Sequence, residues 1–170
     1  YNSVQPVLLN KESLRLSDFF IKIKKQKFEI VGSISFITKR KGLNQIIELL
    51  EYNKNIFAVI VGDGPNKEEL INLAKDKKVF ERCLFTGFQD YPQQYIPFFD
   101  VYVMPSISEG FPIAVLEAGI IGKAIVCSNL PIYQEIFPNN EILTFKVNDI
   151  LNFNDCIDFA IKTKTTLENK

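Results

Sequence analysis

Short apolar runs alternate with amphipathic segments along most of this chain, and this alternation constrains its fold more than any other feature. Residues 56–61 form a continuous apolar run, which is typical of a strand buried on both faces of a parallel sheet. In the segment before it, Leu43, Ile46, Ile47 and Leu50 have the spacing of one apolar helix face. Because the pattern recurs at least five times, it predicts an α/β fold, a doubly wound, Rossmann-like parallel sheet with right-handed crossovers.

The pattern divides the chain into predicted elements within a single domain, residues 1–170. Residues 1–27 are interpreted as a lead-in or linker region, with a strand or linker over 1–10 and helical spacing over 12–24. Strands are predicted at 28–34, 56–61, 83–86, 101–104, 124–127 and 142–145. Helices are predicted to start near residues 43, 66, 90, 112 and 131, and a C-terminal helix covers 152–170. Asn66 and Glu69 have the spacing of a capping box.

Composition excludes several classes of function. The 20 basic and 20 acidic residues balance, so no nucleic-acid partner is indicated. No apolar run approaches the roughly 20 residues of a membrane span, and no secretory signal opens the chain. We therefore expect a cytoplasmic protein. Histidine is absent, which excludes Ser-His-Asp and Cys-His catalysis within this chain and argues against a zinc site.

The three cysteines are odd in number and far apart in sequence. Cys83 and Cys127 lie in strand-like runs, and Cys156 lies in the last helical segment. The sequence therefore predicts buried free thiols of a reducing compartment.

The stretch over residues 100–119 combines a strand, a loop with a glycine and a helix, which is the outline of an anion site. Pro112 is expected at the first helical position. The N-terminus of such a helix offers unpaired N–H donors and a partial positive charge. Two carboxylates, Glu109 and Glu117, flank it.

Carboxylates repel phosphate, so these acids should bind another part of the same ligand. An ionised carboxylate accepts hydrogen bonds, and sugar hydroxyls donate them. A nucleotide-sugar fits both kinds of contact, because its phosphates can bind backbone amides and its sugar hydroxyls can bind the carboxylates. The alternatives, a solvated loop acid for Glu109 and a surface helix acid for Glu117, stay open at this point.

The pattern P-S-x-x-E-G-F-P-x-x-x-x-E-A over residues 105–118 resembles the acid–seven–acid motif of the family-4 retaining glycosyltransferases, which have the two-domain GT-B architecture. The resemblance extends over residues 28–136. It implies the C-terminal, donor-binding half of a GT-B fold, which transfers a sugar from a nucleotide-sugar with retention of configuration. UDP is the expected nucleotide, and a glycan or glycolipid of bacterial surface polysaccharide, lipopolysaccharide or capsule is the expected acceptor.

The resemblance also assigns partners and cofactors. The family's N-terminal half carries the acceptor site and a catalytic histidine, so this chain alone is expected to bind the donor without transferring sugar. No metal and no other cofactor are expected, since the chain has no Asp-x-Asp pair. Contact with the inner face of the membrane would occur only through the N-terminal half.

By the same resemblance, Glu109 is the catalytic residue and holds the donor sugar, while Glu117 accepts from the ribose hydroxyls. Lys41, in the pair Lys41-Gly42, contacts the donor diphosphate. The stretch Gly110, Phe111, Pro112 and Ile113 supplies N–H groups to the donor. Gly110 is expected to allow a backbone geometry or a close approach that a side chain would block. Proline has no N–H, so Phe111 and Ile113 should make the contacts.

One departure and two weaker matches remain. Ser33 occupies the place of a donor-binding arginine of the family, and Lys39 or Arg40 could fold back to compensate. Gly87 and Phe88 match the border of the nucleotide base, although a core position is the preferred interpretation of the Phe88 side chain. Residues 62–65 are interpreted mainly as a tight turn, because G-x-G without a third glycine is a weak dinucleotide signal.

Two other functions are considered. A non-catalytic nucleotide-binding module is compatible with the serine at position 33. A GT-B nucleotide-sugar epimerase or hydrolase is less favoured, because such a protein should lack the E-G-F…E-A spacing.

Overall fold

A computed structural model describes residues 11–139 and 141–168, so the predicted lead-in over residues 1–10 lies outside the described part. The described chain contains one six-stranded sheet in which all neighbouring strands are parallel. The strands are β1 (Glu29–Ile34), β2 (Ile56–Val61), β3 (Cys83–Gly87), β4 (Val101–Met104), β5 (Ala124–Ser128) and β6 (Leu143–Phe145). Their order, β3-β2-β1-β4-β5-β6, is that of a doubly wound Rossmann-like fold and confirms the predicted fold class.

The α-helices are α1 (Lys11–Lys25), α2 (Asn44–Tyr52), α3 (Lys67–Asp76), α4 (Ile113–Ile120), α5 (Pro131–Ile136) and α6 (Ile150–Glu168). Short 3-10 helices cover Lys39–Lys41, Phe80–Arg82 and Pro92–Phe98. The helix expected near residue 90 is therefore a 3-10 segment, and Pro97 lies within it. A proline removes a backbone donor and disfavours an α-helix interior.

Helices cover both faces of the sheet. One core contains the inward faces of α2, α3 and α6, and the other contains those of α1, the 3-10 segment before β4, α4 and α5. Successive residues of β1 point to opposite faces, since Val31 belongs to the first core while Ile30 and Ile34 belong to the second. Burial on both faces explains why β2 is apolar at every position.

The strand order reverses between β1 and β4, which are neighbours in the sheet although β2 and β3 lie between them in sequence. Ligands of such sheets bind in the crevice beyond the carboxyl ends of the strands at this reversal. Two loops border the crevice here. The first loop (residues 35–43) follows β1, and the second loop (residues 105–112) follows β4.

Three local expectations need correction. Asn66 forms no capping hydrogen bond to its own helix; its Oδ1 accepts from the Lys39 N–H at 3.1 Å, and its Nδ2 donates to Glu69 at 2.7 Å. Pro112 is the N-cap residue of α4 and not its first helical residue. All three cysteines are free, but only Cys127 is buried, while Cys83 and Cys156 are half-buried. None of the helices in the described part of the chain has the length and apolar character needed to cross a bilayer.

Candidate functional site

The first loop is held in place by the turn after β2. The Ile37 N–H donates to Asp63 O at 2.8 Å, and the Asn66 N–H donates to Ile37 O at 3.2 Å. Gly64 has a φ of 158°, and a Cβ there would lie 2.3 Å from Ile37 O. Glycine at 64 therefore permits the close contact between turn and loop, which agrees with the interpretation of residues 62–65 as a tight turn.

The centre of the candidate site is an ion pair between the two loops. Lys41 Nζ lies 2.5 Å from Glu109 Oε1, and Ser106 Oγ donates to the same oxygen at 2.7 Å. The side chains of Lys41 and Glu109 are 15% and 4% exposed. The alternative that Glu109 is a solvated loop acid is therefore wrong.

A second cation lies beside this pair. Arg40 Nη1 is 3.7 Å from Glu109 Oε2 and donates to Ser108 O at 3.2 Å. Lys39 points elsewhere, with its Nζ 3.6 Å from Glu69. Of the two residues that could compensate for Ser33, Arg40 is the one that folds toward the second loop. Two cations, Lys41 and Arg40, thus converge on the one carboxylate of Glu109.

Ser33 itself does not reach the crevice surface. It is fully buried in β1, and its hydroxyl has no hydrogen-bond partner among the residues that the structure describes. Because side chains alternate along a strand, Ser33 faces the same core as Val31. The buried Ser33 side chain therefore does not line the crevice, contrary to the prediction, and of Lys39 and Arg40 it is Arg40 that lies beside the ion pair.

The N-terminus of α4 opens onto the second loop. The Ile113 N–H already donates to Phe111 O at 3.1 Å, and the N–H groups of Val115 and Leu116 donate to Pro112 O. Within residues 11–139 and 141–168, the N–H groups of Gly110, Phe111 and Ala114 have no acceptor. Of the two donors that were expected, the Phe111 N–H is free, whereas the Ile113 N–H is engaged within the loop.

No contact in the described chain requires glycine at position 110. Its φ is not positive, and a Cβ there would meet no atom within 4 Å. The expected special backbone geometry is therefore not found. Phe111 and Ile113 lie where the second loop joins α4, and both side chains are exposed.

Glu117 lies half-buried on α4. Burial raises the pKa of Tyr102 well above its usual range, and the charges of Cys127, Glu117 and Glu109 add to the rise. The two carboxylates thus act on one hydroxyl, that of Tyr102 on β4. Glu109 lies in the second loop, and Glu117 lies on α4, the helix that follows this loop and packs on the second core.

Gly87 is the last residue of β3, and Phe88 follows it at the same edge of the sheet. The Phe88 side chain is 74% exposed, so the preferred interpretation of a core phenylalanine is wrong. A hydrogen bond from Lys67 lowers the pKa of Asp63, and backbone N–H groups of Gly64 and Phe88 lower it further.

The residues that sequence reasoning missed are mostly those that connect the loops. Ser106 binds Glu109, and a serine three residues before that acid was the signal for it. Gln45 is fully buried and donates to Pro105 O at 2.7 Å, but its sequence position looked like part of an ordinary helix. No group of three or more His, Cys, Asp or Glu that could hold a metal occurs in the described part of the chain.

Comparisons with known proteins identify the family of this chain. The sequence model of the family described as "Glycosyl transferases group 1" matches residues 15–170. The O-antigen biosynthesis glycosyltransferase WclY of Escherichia coli is 38% identical over 141 residues, which are 83% of this chain and 40% of that protein. The lipopolysaccharide core biosynthesis glycosyltransferase LpsE of Rhizobium meliloti (strain 1021) is 31% identical over 97 residues, 57% of this chain and 28% of LpsE.

Solved structures share the fold. The structure of Anabaena Alr3699/HepE in complex with UDP and glucose superimposes with a TM-score of 0.78 at 19% identity. The match covers 92% of this chain and 44% of that one. The chain thus spans less than half the length of these relatives.

Proposed function

Because this chain belongs to the family of glycosyl transferases group 1, we propose that it is the donor-binding, C-terminal half of a GT-B enzyme. The enzyme transfers a sugar from a nucleotide-sugar to a glycan or glycolipid acceptor with retention of configuration. The observation that carries the proposal is the Lys41–Glu109 pair, 2.5 Å apart at the reversal of strand order. In this place a buried ion pair lies beside open N–H donors and a second cation.

The donor nucleotide is proposed to be UDP. In support, the Anabaena HepE structure, which shares the fold, contains UDP and glucose. A diphosphate would accept hydrogen bonds from Lys41, Arg40 and the N–H groups of Gly110, Phe111 and Ala114. Lys41 and Arg40 lie in the first loop, and the three N–H groups lie in the second loop and at the start of α4.

These groups would also favour bond cleavage. As the bond from sugar to phosphate breaks, negative charge builds on the leaving diphosphate. Lys41, Arg40 and the N-terminus of α4 are fixed before the reaction, so they stabilise that charge with little reorganisation. Removing one preorganised donor of this kind commonly slows catalysis about a hundredfold or more.

The acids would bind the two sugar rings. When the diphosphate draws Lys41 away, an oxygen of Glu109 becomes able to accept from a donor sugar hydroxyl. Glu117, half-buried on α4, would accept from the ribose hydroxyls, and the exposed ring of Phe88, next to Gly87, would lie against the base. No metal has a role in this scheme, because cationic side chains and N–H groups neutralise the diphosphate.

The whole enzyme is proposed to act in O-antigen or lipopolysaccharide synthesis, as WclY and LpsE do by name. Its N-terminal half would bring the acceptor from the cytoplasmic face of the membrane. The chain described here would bind UDP but transfer no sugar alone.

Thermal unfolding of the chain with nucleoside diphosphates tests the proposal. UDP should raise the unfolding temperature in a concentration-dependent way, since a ligand that binds only the folded state stabilises it. In the full-length protein, Glu109→Ala should lose sugar transfer. If no nucleoside diphosphate shifts the transition, or if Glu109→Ala keeps its turnover, the proposal is wrong.

A further inference from the structure

Gln45 is a buried amide on α2 that contacts three different loops. Its Nε2 donates to Pro105 O at 2.7 Å and to Gly42 O at 3.2 Å, and its Oε1 accepts from the Asn148 N–H at 2.7 Å. Pro105 belongs to the second loop and Gly42 to the first loop, while Asn148 lies in the loop between β6 and α6. One side chain therefore joins all three segments.

The orientation of this amide is fixed by its partners. Nε2 faces two carbonyl oxygens, and Oε1 faces an N–H group. A reversed amide would set its oxygen against both carbonyls and leave the Asn148 N–H unpaired, which is costly in a buried position. The contact thus specifies glutamine, and neither an apolar residue nor a glutamate of similar size reproduces it.

The first and second loops meet at the same point. Gly42 has a φ of 60°, and a Cβ there would lie 2.1 Å from Pro105 O and 2.6 Å from Gln45 Nε2. Lys41 directly precedes Gly42, and Glu109 follows Pro105 by one short turn of the loop. The separation of the two loops at Gln45 therefore determines how far Lys41 stands from the second loop.

A second link between these loops lies further out. The Ile107 N–H donates to Arg40 O at 2.8 Å. This link does not involve Gln45, so a chain without the Gln45 amide should still fold. Its loops would still be joined by this bond and by the contacts of Lys41 and Arg40 with the second loop, but they would lose the buried link at Pro105 and could separate there more often.

We propose that Gln45 is a positioning residue for the diphosphate site. Its amide sets the spacing between Lys41 and the N–H groups of the second loop, and thereby the affinity for a nucleoside diphosphate. The inference rests on the proposed donor site and adds a residue outside the resembled motif. It acts through Lys41 and touches no ligand itself.

Calorimetric titration of the chain with UDP tests this role. Gln45→Met keeps the side-chain length but removes all three hydrogen bonds, and should raise the Kd about fivefold. The matched control is Asn154→Leu, which removes a buried amide from α6 that binds Asn53 and Asp158, away from the crevice. The control should lower the unfolding temperature while its Kd stays at the wild-type value.

A double-mutant cycle shows whether Gln45 acts through Lys41. In a Lys41→Gln background, adding Gln45→Met should change the Kd by less than about twofold, because the positioned group is already gone. An unchanged Kd in Gln45→Met alone, or the same factor in both backgrounds, would overturn the proposal. If Gln45→Met shows no cooperative unfolding, Gln45→Asn, which keeps a neutral amide but is one methylene too short to reach Pro105 O and the Asn148 N–H together, replaces it with the same expected result.

Amide hydrogen exchange separates this inference from the proposed function. The Ile107 N–H should exchange at least about tenfold faster in Gln45→Met than in wild type, with or without UDP, because the loops open more often. In Asn154→Leu, the Ile107 N–H should exchange at about the wild-type rate. If the wild-type chain does not bind UDP, the donor site is wrong, and Ile107 exchange still decides whether Gln45 holds the loops together. Unchanged exchange would contradict the role of Gln45.

Discussion

Two lysine–carboxylate pairs flank the same two strands of the sheet, one at each end. Lys24 precedes β1 and contacts Asp100, which precedes β4. Lys41 follows β1 and contacts Glu109, which follows β4. Both carboxylates are buried, with side chains 7% and 4% exposed. The two pairs have the same chemistry and differ in what surrounds them.

At the amino ends of β1 and β4, the Lys24–Asp100 pair is surrounded by backbone groups. Asp100 Oδ2 accepts from the Ile30 N–H at 2.7 Å, and the Asp100 N–H donates to Ile30 O at 2.8 Å. Asp100 therefore extends the contact between β1 and β4 beyond the last paired residues of the sheet. Lys24 also binds Glu29 at 2.8 Å. This pair fastens two strands together.

At the carboxyl end, the surroundings are two loops and a helix N-terminus. Glu109 accepts from Lys41 and Ser106, and neither bond continues a strand. An extra guanidinium and the N–H groups at the start of α4 remain available beside it. A buried ion pair by itself therefore does not identify a binding site. The binding site is indicated by the hydrogen-bond donors around the pair that no group of the protein fully uses.

The largest expected effect is on stability at the amino end. Asp100→Ala leaves the Ile30 N–H without its side-chain acceptor and removes the buried one of the two carboxylates that Lys24 contacts, so the free energy of unfolding should fall by about 3 kcal/mol. Its Kd for UDP should not change. Glu29→Ala is the control, expected to cost less than about 1 kcal/mol, as an exposed ion pair does. A Kd for UDP that rose with the loss of Asp100 would remove the distinction between the two ends.

A smaller effect is expected for the second cation at the carboxyl end. Arg40→Gln should raise the Kd for UDP about threefold, because the guanidinium is half exposed and its attraction is partly screened by water. Lys39→Gln, next to it in sequence but directed toward Glu69, should leave the Kd unchanged. Titration calorimetry at low and moderate salt measures both. Equal effects of the two substitutions would mean that only net charge matters.

The smallest expected effect is a pH dependence of stability at the amino end. Burial by itself would lower the pKa of Lys24, but hydrogen bonds to Asp100 and Glu29 raise it above the ordinary value of 10.5. A pKa raised on folding stabilises the protein fully below 10.5, and this contribution is lost as the pH rises through the raised pKa.

Urea unfolding between about pH 9 and about pH 11.5 measures this contribution. The wild-type chain should lose more unfolding free energy over that range than Lys24→Met. Lys77, whose pKa is also raised, chiefly by a hydrogen bond to Glu51, is present in both proteins and cancels. Identical pH profiles would show that Lys24 contributes nothing through its charge.

The sequence predicts the fold well because hydrophobic pattern determines it locally. The run over Ile56–Val61 is found unchanged as β2, and the alternation of strands and helices determines the parallel sheet. The proximity of Lys41 and Glu109 follows for the same reason, since the carboxyl ends of parallel strands share one edge. Their direct contact is a finding of the structure.

Two of the positions that the sequence predicts wrongly, Asn66 and Gln45, have partners far away in sequence, and a third, Phe88, is exposed. Asn66 has capping-box spacing, yet the Lys39 N–H of the first loop takes its side-chain oxygen. Gln45 looks like any residue of α2, although its partners Pro105 and Asn148 are 60 and 103 positions away. Phe88 was assigned to the core from its type, but it follows the end of β3, where no layer covers it. The tertiary structure, and not the local sequence, determines the environment of each of these side chains.

The most direct test of the account exchanges one lysine at each end for glutamine. Lys41→Gln and Lys24→Gln remove the same charge from the same kind of pair, and UDP titration with thermal unfolding measures both. We expect Lys41→Gln to raise the Kd at least about tenfold, the effect of one charged hydrogen bond, and Lys24→Gln to lower the unfolding temperature at an unchanged Kd. Wild-type affinity in Lys41→Gln, or an equal loss of affinity in both variants, would contradict the account.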